Sequence, residues 1–191
     1  MNSISDKDQS LPGAGLLGMK LLLASLSMLF LASLMGFLVI RSRAEVWPPA
    51  NMPKFPSGLW ISTLLILISS GTIQWGLRSV RRDRQEALRR AMILTTVLGV
   101  AFLVCQAMNW LSLVRANFTA AANLYAFMFY MMTGLHAAHV IGGIVLLSIV
   151  TAKAFQGRYS PEFHPGVIYS AMYWHFLDVV WVIVFFVLVI L

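Results

Sequence analysis

Five runs of this chain are almost free of charge, and each is long enough to cross a membrane as a helix. They cover residues 16–40, 58–77, 92–114, 125–152 and 167–191. Crossing a hydrocarbon core takes roughly 20 helical residues. In lipid every backbone N–H and C=O must be bonded within the protein, which leaves helices or a closed barrel. Runs this continuous are helical, because barrel strands alternate apolar and polar residues. The chain is 59% hydrophobic and only 11% charged, too little charge to cover a soluble domain. The expected fold is therefore all-α, a polytopic bundle of five transmembrane helices over residues 16–191, preceded by a polar N-terminal tail over 1–15. The first run is longer than the ~7–15 apolar residues of a secretory signal core. It also lacks a basic flank followed by a cleavage site, so it is expected to be a retained first helix.

A net charge of +7 in a soluble protein would point to nucleic acid. Here its distribution points to topology instead. The segment between the second and third runs carries Arg78, Arg81, Arg82, Arg84, Arg89 and Arg90. On the same side of the bilayer fall Lys7, Lys20, Lys153 and Arg158, ten of the 14 Lys and Arg residues in all. Arg41, Arg43, Lys54 and Arg115 fall on the other side. The positive-inside rule then puts the N-terminus in the cytoplasm and the C-terminus outside. Arginines beside a span orient it or bind lipid, and Arg78, Arg81 and Arg82 are the candidates for lipid or interface contact. No nucleic-acid partner is expected. The single cysteine, Cys105, lies inside the third run and supports neither a disulfide nor a thiolate metal site.

The connection after the first run holds four of the seven prolines. It is expected to be a stiff external loop, with Trp47 and Trp60 near the interface. Ser69, Ser70 and Gly71 in the second run, and Gly142 and Gly143 in the fourth, are places where helices could approach closely. Ser25, Ser27 and Thr72 are small enough to bond their own helix backbone. Gln106 and Asn109 share a face of the third helix, and Trp110, Trp174 and Trp181 are interface or packing aromatics. The apolar stretch after Asp178 is expected to turn its outer half to lipid or to a larger partner.

Charge inside the membrane is confined to the last two runs. His136 and His139 are three residues apart, as are His175 and Asp178, so each pair shares a helical face. An ionisable side chain at the bilayer centre costs at least ~2.5–3.5 kcal/mol on insertion scales. The last two helices form a hairpin turning near Gly157, which sets His139 level with His175 and His136 level with Asp178. Four ionisable groups should thus gather in the inner half of this helix pair, about 10–12 Å from the cytoplasmic edge for His175. They are read as a structural or proton-related polar cluster. The alternatives are a proton path, haem ligation by two imidazoles, or a metal held by two histidines and a carboxylate.

Five segments carry a family resemblance: Trp47-Pro-Pro, LLILISSG ending at Gly71, LTTVLGVAFLVCQ before Asn109-Trp110, TGLHAAHVIGG from Thr133 to Gly143, and YWHFLDVVW from Tyr173 to Trp181. On these the chain resembles subunit III of the haem–copper terminal oxidases, with the length of the shorter five-helix bacterial members. The resemblance implies a non-catalytic accessory subunit of a respiratory oxidase in the bacterial cytoplasmic membrane. Haem and copper would belong to partner subunits, above all the catalytic subunit I, with no cofactor in this chain and phospholipid bound between helices. His136, His139, His175, Asp178 and Trp181 would be the family's intramembrane signature, structural or proton-related rather than catalytic. Two departures stand out: Ser27 and Asn109 occupy positions where the family usually carries a carboxylate. A nitric-oxide-reductase-like complex, a stand-alone proton conduit and a small b-type cytochrome are the competing expectations.

Overall fold

The computed structural model describes residues 13–47 and 56–189. Five helices follow one another: α1 Ala14–Arg43, α2 Gly58–Arg81, α3 Gln85–Arg115, α4 Leu124–Phe155 and α5 Pro165–Val189. Each is long and apolar enough to cross a membrane, and no strand occurs among the described residues. The chain is an all-helical, multi-pass membrane protein. Several helices outrun the uncharged runs, α2 to Arg81 and α3 from Gln85, because a helix bonds its backbone internally whether or not its side chains are charged. Residues 1–12 of the expected 1–15 tail, the proline-rich stretch 48–55 and residues 190–191 lie outside the described residues, while Ala14 and Gly15 already belong to α1.

Three helices end in the same way, and this keeps the connections short. After α2, α3 and α4 the chain takes one residue into the left-handed region, Asp83 at φ 54°, Asn117 at φ 61° and Gly157 at φ 68°. At each end two amides then turn back onto the last helical carbonyls. Arg84 N–H reaches Ser79 O and Asp83 N–H reaches Val80 O. Phe118 reaches Leu113 and Asn117 reaches Val114, while Arg158 reaches Lys153 and Gly157 reaches Ala154. This doubly bonded stop satisfies carbonyls that a bare helix end leaves open. Asn and Asp tolerate the left-handed region better than most residues. The N-terminus of α4 is capped by Asn123, whose side chain accepts from Ala126 N–H at 2.7 Å.

Helices α2, α3, α4 and α5 close a ring, each packing on its neighbours, and α1 lies outside it against α4 and α5. The side chains of α1 are mostly exposed, only Phe30 and Phe37 being buried. By contrast α5 is the most enclosed span. Its outer half does not simply face outward: Val184, Phe185, Val187 and Leu188 are buried, while Val182, Ile183 and Phe186 are exposed. Ring closure explains the difference, since α5 touches α2 and α4 on two sides and α1 on a third. At its end the Tyr125 hydroxyl donates to Leu188 O at 2.5 Å. One core cluster gathers around Trp174 and Trp181 and a second around Phe37, Phe129 and Tyr125. Trp47 packs edge-on against Tyr125 with ring centres 4.9 Å apart, and Trp60 against Phe185 at the same spacing.

Candidate functional site

A seam of polar groups runs along one side of α5. Trp174, Asp178 and Trp181 follow the i, i+4, i+7 spacing of a single helical face, and that face meets α2. The Trp174 indole N–H donates to Ser69 Oγ at 2.8 Å, and the Trp181 indole N–H to Thr63 Oγ1 at 3.0 Å. One position along from Trp174, His175 Nδ1 lies 2.7 Å from Ser70 Oγ and its Nε2 lies 3.3 Å from Gln74 Oε1. Asp178 Oδ2 stands 3.9 Å from His175 Nδ1, with Ser70 the other polar side chain beside it. Neither carboxylate oxygen of Asp178 has a hydrogen-bond partner among the described residues. Polar bonds between spans are worth about 0.6 kcal/mol on average and up to ~1.7, so this seam holds α5 to α2 by several modest contacts.

The α4 histidines stand apart from it. His136 is fully buried, and neither ring nitrogen has a hydrogen-bond partner among the described residues. Its ring is walled by Trp181 at 5.0 Å, Phe102 at 5.8 Å and Phe30 at 6.4 Å between centres. His139 Nδ1 bonds Leu135 O of its own helix at 2.7 Å, its ring faces Phe30 at 5.4 Å, and its carbonyl accepts from the Tyr173 hydroxyl at 3.1 Å. No hydrogen bond or ion pair joins His136 or His139 to His175 or Asp178 among the described residues. The four side chains therefore form two sets, bridged by Trp181, which touches His136 with its ring and Thr63 with its N–H. Equal depth in a hairpin does not set the direction a side chain faces, and α5 turns its polar face to α2 rather than α4.

Other expected positions divide similarly. Trp174 and Trp181 are each 1% exposed, packing aromatics inside the bundle rather than lipid contacts of this chain. Trp110 is half-buried, 6.4 Å from the Tyr130 ring. Arg78, Arg81 and Arg82 are exposed at the end of α2. Ser25 and Ser27 bond carbonyls of α1, and Thr72 bonds Ser69 O while also meeting Thr95 Oγ1 of α3 at 2.7 Å. Gln106 accepts from Ser62 at 3.4 Å. Gly143 lies against Trp174 and Tyr173, whereas Gly71 faces open space. Thr63, Gln74, Phe30, Phe102 and Gly99 complete the site; Gly99 and Phe102 fall within the LTTVLGVAFLVCQ segment but were not singled out in it, and the other three carried no motif.

His136 and His139, three residues apart on α4, leave that helix on the same side. Among the described residues no three His, Cys, Asp or Glu side chains converge as metal ligands.

Comparison with known proteins adds identity to this geometry. A family model described as "Cytochrome c oxidase subunit III" matches residues 10–191. The chain is 33% identical over 181 residues to "Cytochrome c oxidase subunit 3" of Thermostichus vulcanus, covering 94% of this chain and 89% of that protein. It is 32% identical over 176 residues to the protein of the same name from Synechocystis sp., covering 91% and 74%. A "Probable cytochrome c oxidase subunit 3" of Rickettsia felis is 35% identical over 144 residues, covering 73% of this chain and 51% of the relative.

Proposed function

The chain belongs to the cytochrome c oxidase subunit III family, and from that premise we propose that it is a non-catalytic accessory subunit stabilising the catalytic subunit of a respiratory haem–copper oxidase. Membership of a haem–copper oxidase complex follows from the family; subunit I as the docking partner and the stabilising role are the proposal. The observation that carries it is the family match over residues 10–191, through all five spans. Oxygen reduction belongs to partner subunits that hold haem and copper. This chain contributes a rigid helical face in the bacterial cytoplasmic membrane, with its N-terminus cytoplasmic and its C-terminus outside, as the arginine distribution supports.

Within that role the α2–α5 seam of Ser69, Ser70, Gln74, His175 and Asp178 is a clasp with a buried carboxylate at its centre, next to an imidazole able to share a proton. His136 and His139 serve the aromatic packing of α4. Arg78, Arg81, Arg82 and Trp110 meet lipid at the two interfaces.

Affinity purification of the tagged chain in mild detergent tests this. Haem-bearing polypeptides should co-purify and give the preparation a Soret band, which should vanish when the chain is stripped to a single polypeptide. A lone polypeptide retaining its own haem or copper, or a chain that recruits no haem protein, would overturn it.

A further inference from the structure

We propose that the turn between α2 and α3 is a binding site for the phosphate of a net-anionic phospholipid, built by Trp75, Arg78, Ser79, Arg82 and Arg84. The proposal deepens the lipid role given above to the arginines of this turn, and rests on it. Trp75, Arg78, Ser79, Arg82 and Arg84 line one cavity of about 290 Å³. Arg78 and Arg82 are one helical turn apart on α2. Arg84 joins them because the stop after α2 folds the chain back, its N–H bonding Ser79 O at 3.0 Å. Three arginines of two different segments thereby line one concavity, a concentration of positive charge suited to a phosphate.

Local acids do not neutralise them. Asp83 accepts from Gln85 at 3.0 Å, and Glu86 pairs with Arg90 at 3.3 Å. Arg78, Arg82 and Arg84 have no ion-pair partner among the described residues. Arg89 is engaged elsewhere, donating to Ala154 O.

The surface below the cavity selects a lipid over a free anion. Residues 64, 68, 71, 75, 78 and 82 lie on one face of α2, by steps of three and four. Leu64, Ile68 and Trp75 on that face are 59%, 47% and 43% exposed. Between Ile68 and Trp75, Gly71 leaves a notch in which an added Cβ would meet nothing within 4 Å. The face is thus apolar through the span and cationic at its cytoplasmic end, with an indole at the boundary. A phospholipid lying along it sets its phosphate on the arginines and an acyl chain over Trp75 and the Gly71 notch. Inorganic phosphate would use only the upper part.

The full chain, with whatever co-purifies, is placed in phosphatidylcholine nanodiscs with or without phosphatidylglycerol as a minor component, and retained lipid is read by native mass spectrometry. Wild type should retain phosphatidylglycerol in preference to phosphatidylcholine. Arg82→Gln should lower that retention roughly fivefold, the effect of one basic residue near an anionic surface. Combining it with Arg78→Gln and Arg84→Gln should abolish the preference. Arg82→Lys should keep most of it and so separates charge loss from misfolding. Arg90→Gln, on α3 outside the cavity and paired with Glu86, should change retention by less than about twofold.

Absence of any preference in wild type, or equal loss for Arg90→Gln and Arg82→Gln, overturns the site. Displacement of the lipid by millimolar inorganic phosphate, or a partner polypeptide cross-linked into the cavity in place of lipid, overturns it equally. The same preparations are scored for haem-bearing partners. Retained partners without lipid preference remove only this site, whereas lipid preference without partners removes the oxidase assignment alone.

Discussion

Trp174 sets how closely three helices approach. Its indole lies over two glycines: a Cβ added at Gly99 of α3 would come 2.7 Å from Trp174 Cη2, and one at Gly143 of α4 would come 3.0 Å from Trp174 Cζ3. Small residues at such crossings are what allow helices to associate in lipid. Gly99→Ala is expected to destabilise the chain by about 1–3 kcal/mol through overpacking, read as a lower unfolding temperature in detergent. Adding Trp174→Phe should recover part of that loss, since contacting sites are non-additive; full additivity would show that the two do not compete for space. At Asp178, the Asn variant removes the acid beside His175 and Ser70 while keeping its shape. It should shorten the life of the assembled oxidase during turnover, leaving initial electron transfer near wild type. Immediate loss of turnover in an intact complex would contradict it. Asp178 was legible in the sequence because a carboxylate inside an apolar run is costly and therefore rare. Gly99 was not, because a glycine in a membrane helix is common and only the neighbouring indole shows its purpose.

At the scale of elements, the end of α4 and the turn that follows it are tied to the start of α3. Arg89 donates from Nε to Ala154 O at 3.3 Å and lies over the Phe155 ring at 5.6 Å, a cation at the carbonyl end of α4. Gln85 Nε2 reaches Tyr159 O at 3.0 Å. Arg89→Ala should therefore weaken the docking of α4 by about 0.5–1 kcal/mol, seen as earlier proteolysis of the connection over 156–164. Cleavage at the wild-type rate would count against that latch. Helix ends themselves could be anticipated from Gly157 and from the cluster of arginines, yet the identical stops at Asp83 and Asn117 could not, because neither residue type demands a positive φ. The apolar stretch after Asp178 was expected to turn its outer half to lipid or to a larger partner, from its unbroken apolarity. Apolarity alone does not distinguish a lipid-facing side from a side packed on protein, since both exclude water.

For the whole molecule, the alternation of five spans makes the two ends of the bundle chemically different. The α2–α3 turn and the α4–α5 turn share one side, and the α3–α4 turn lies on the other. With Cys105 replaced by Ser, a cysteine introduced by Arg84→Cys should react with a membrane-impermeant maleimide only from the cytoplasmic side, and one from Asn117→Cys only from outside. The reverse pattern would invert the assigned orientation. The amino-acid sequence by itself determined the number of spans and their alternation. Run length and a rise of about 1.5 Å per residue are enough for that. Only the tertiary structure decided which way each helix is turned about its axis. Facing depends on shape matched between helices distant in sequence, Trp174 over Gly99 and Gly143 above all, and so His175 and Asp178 came to rest on α2 while His136 closed among aromatic rings.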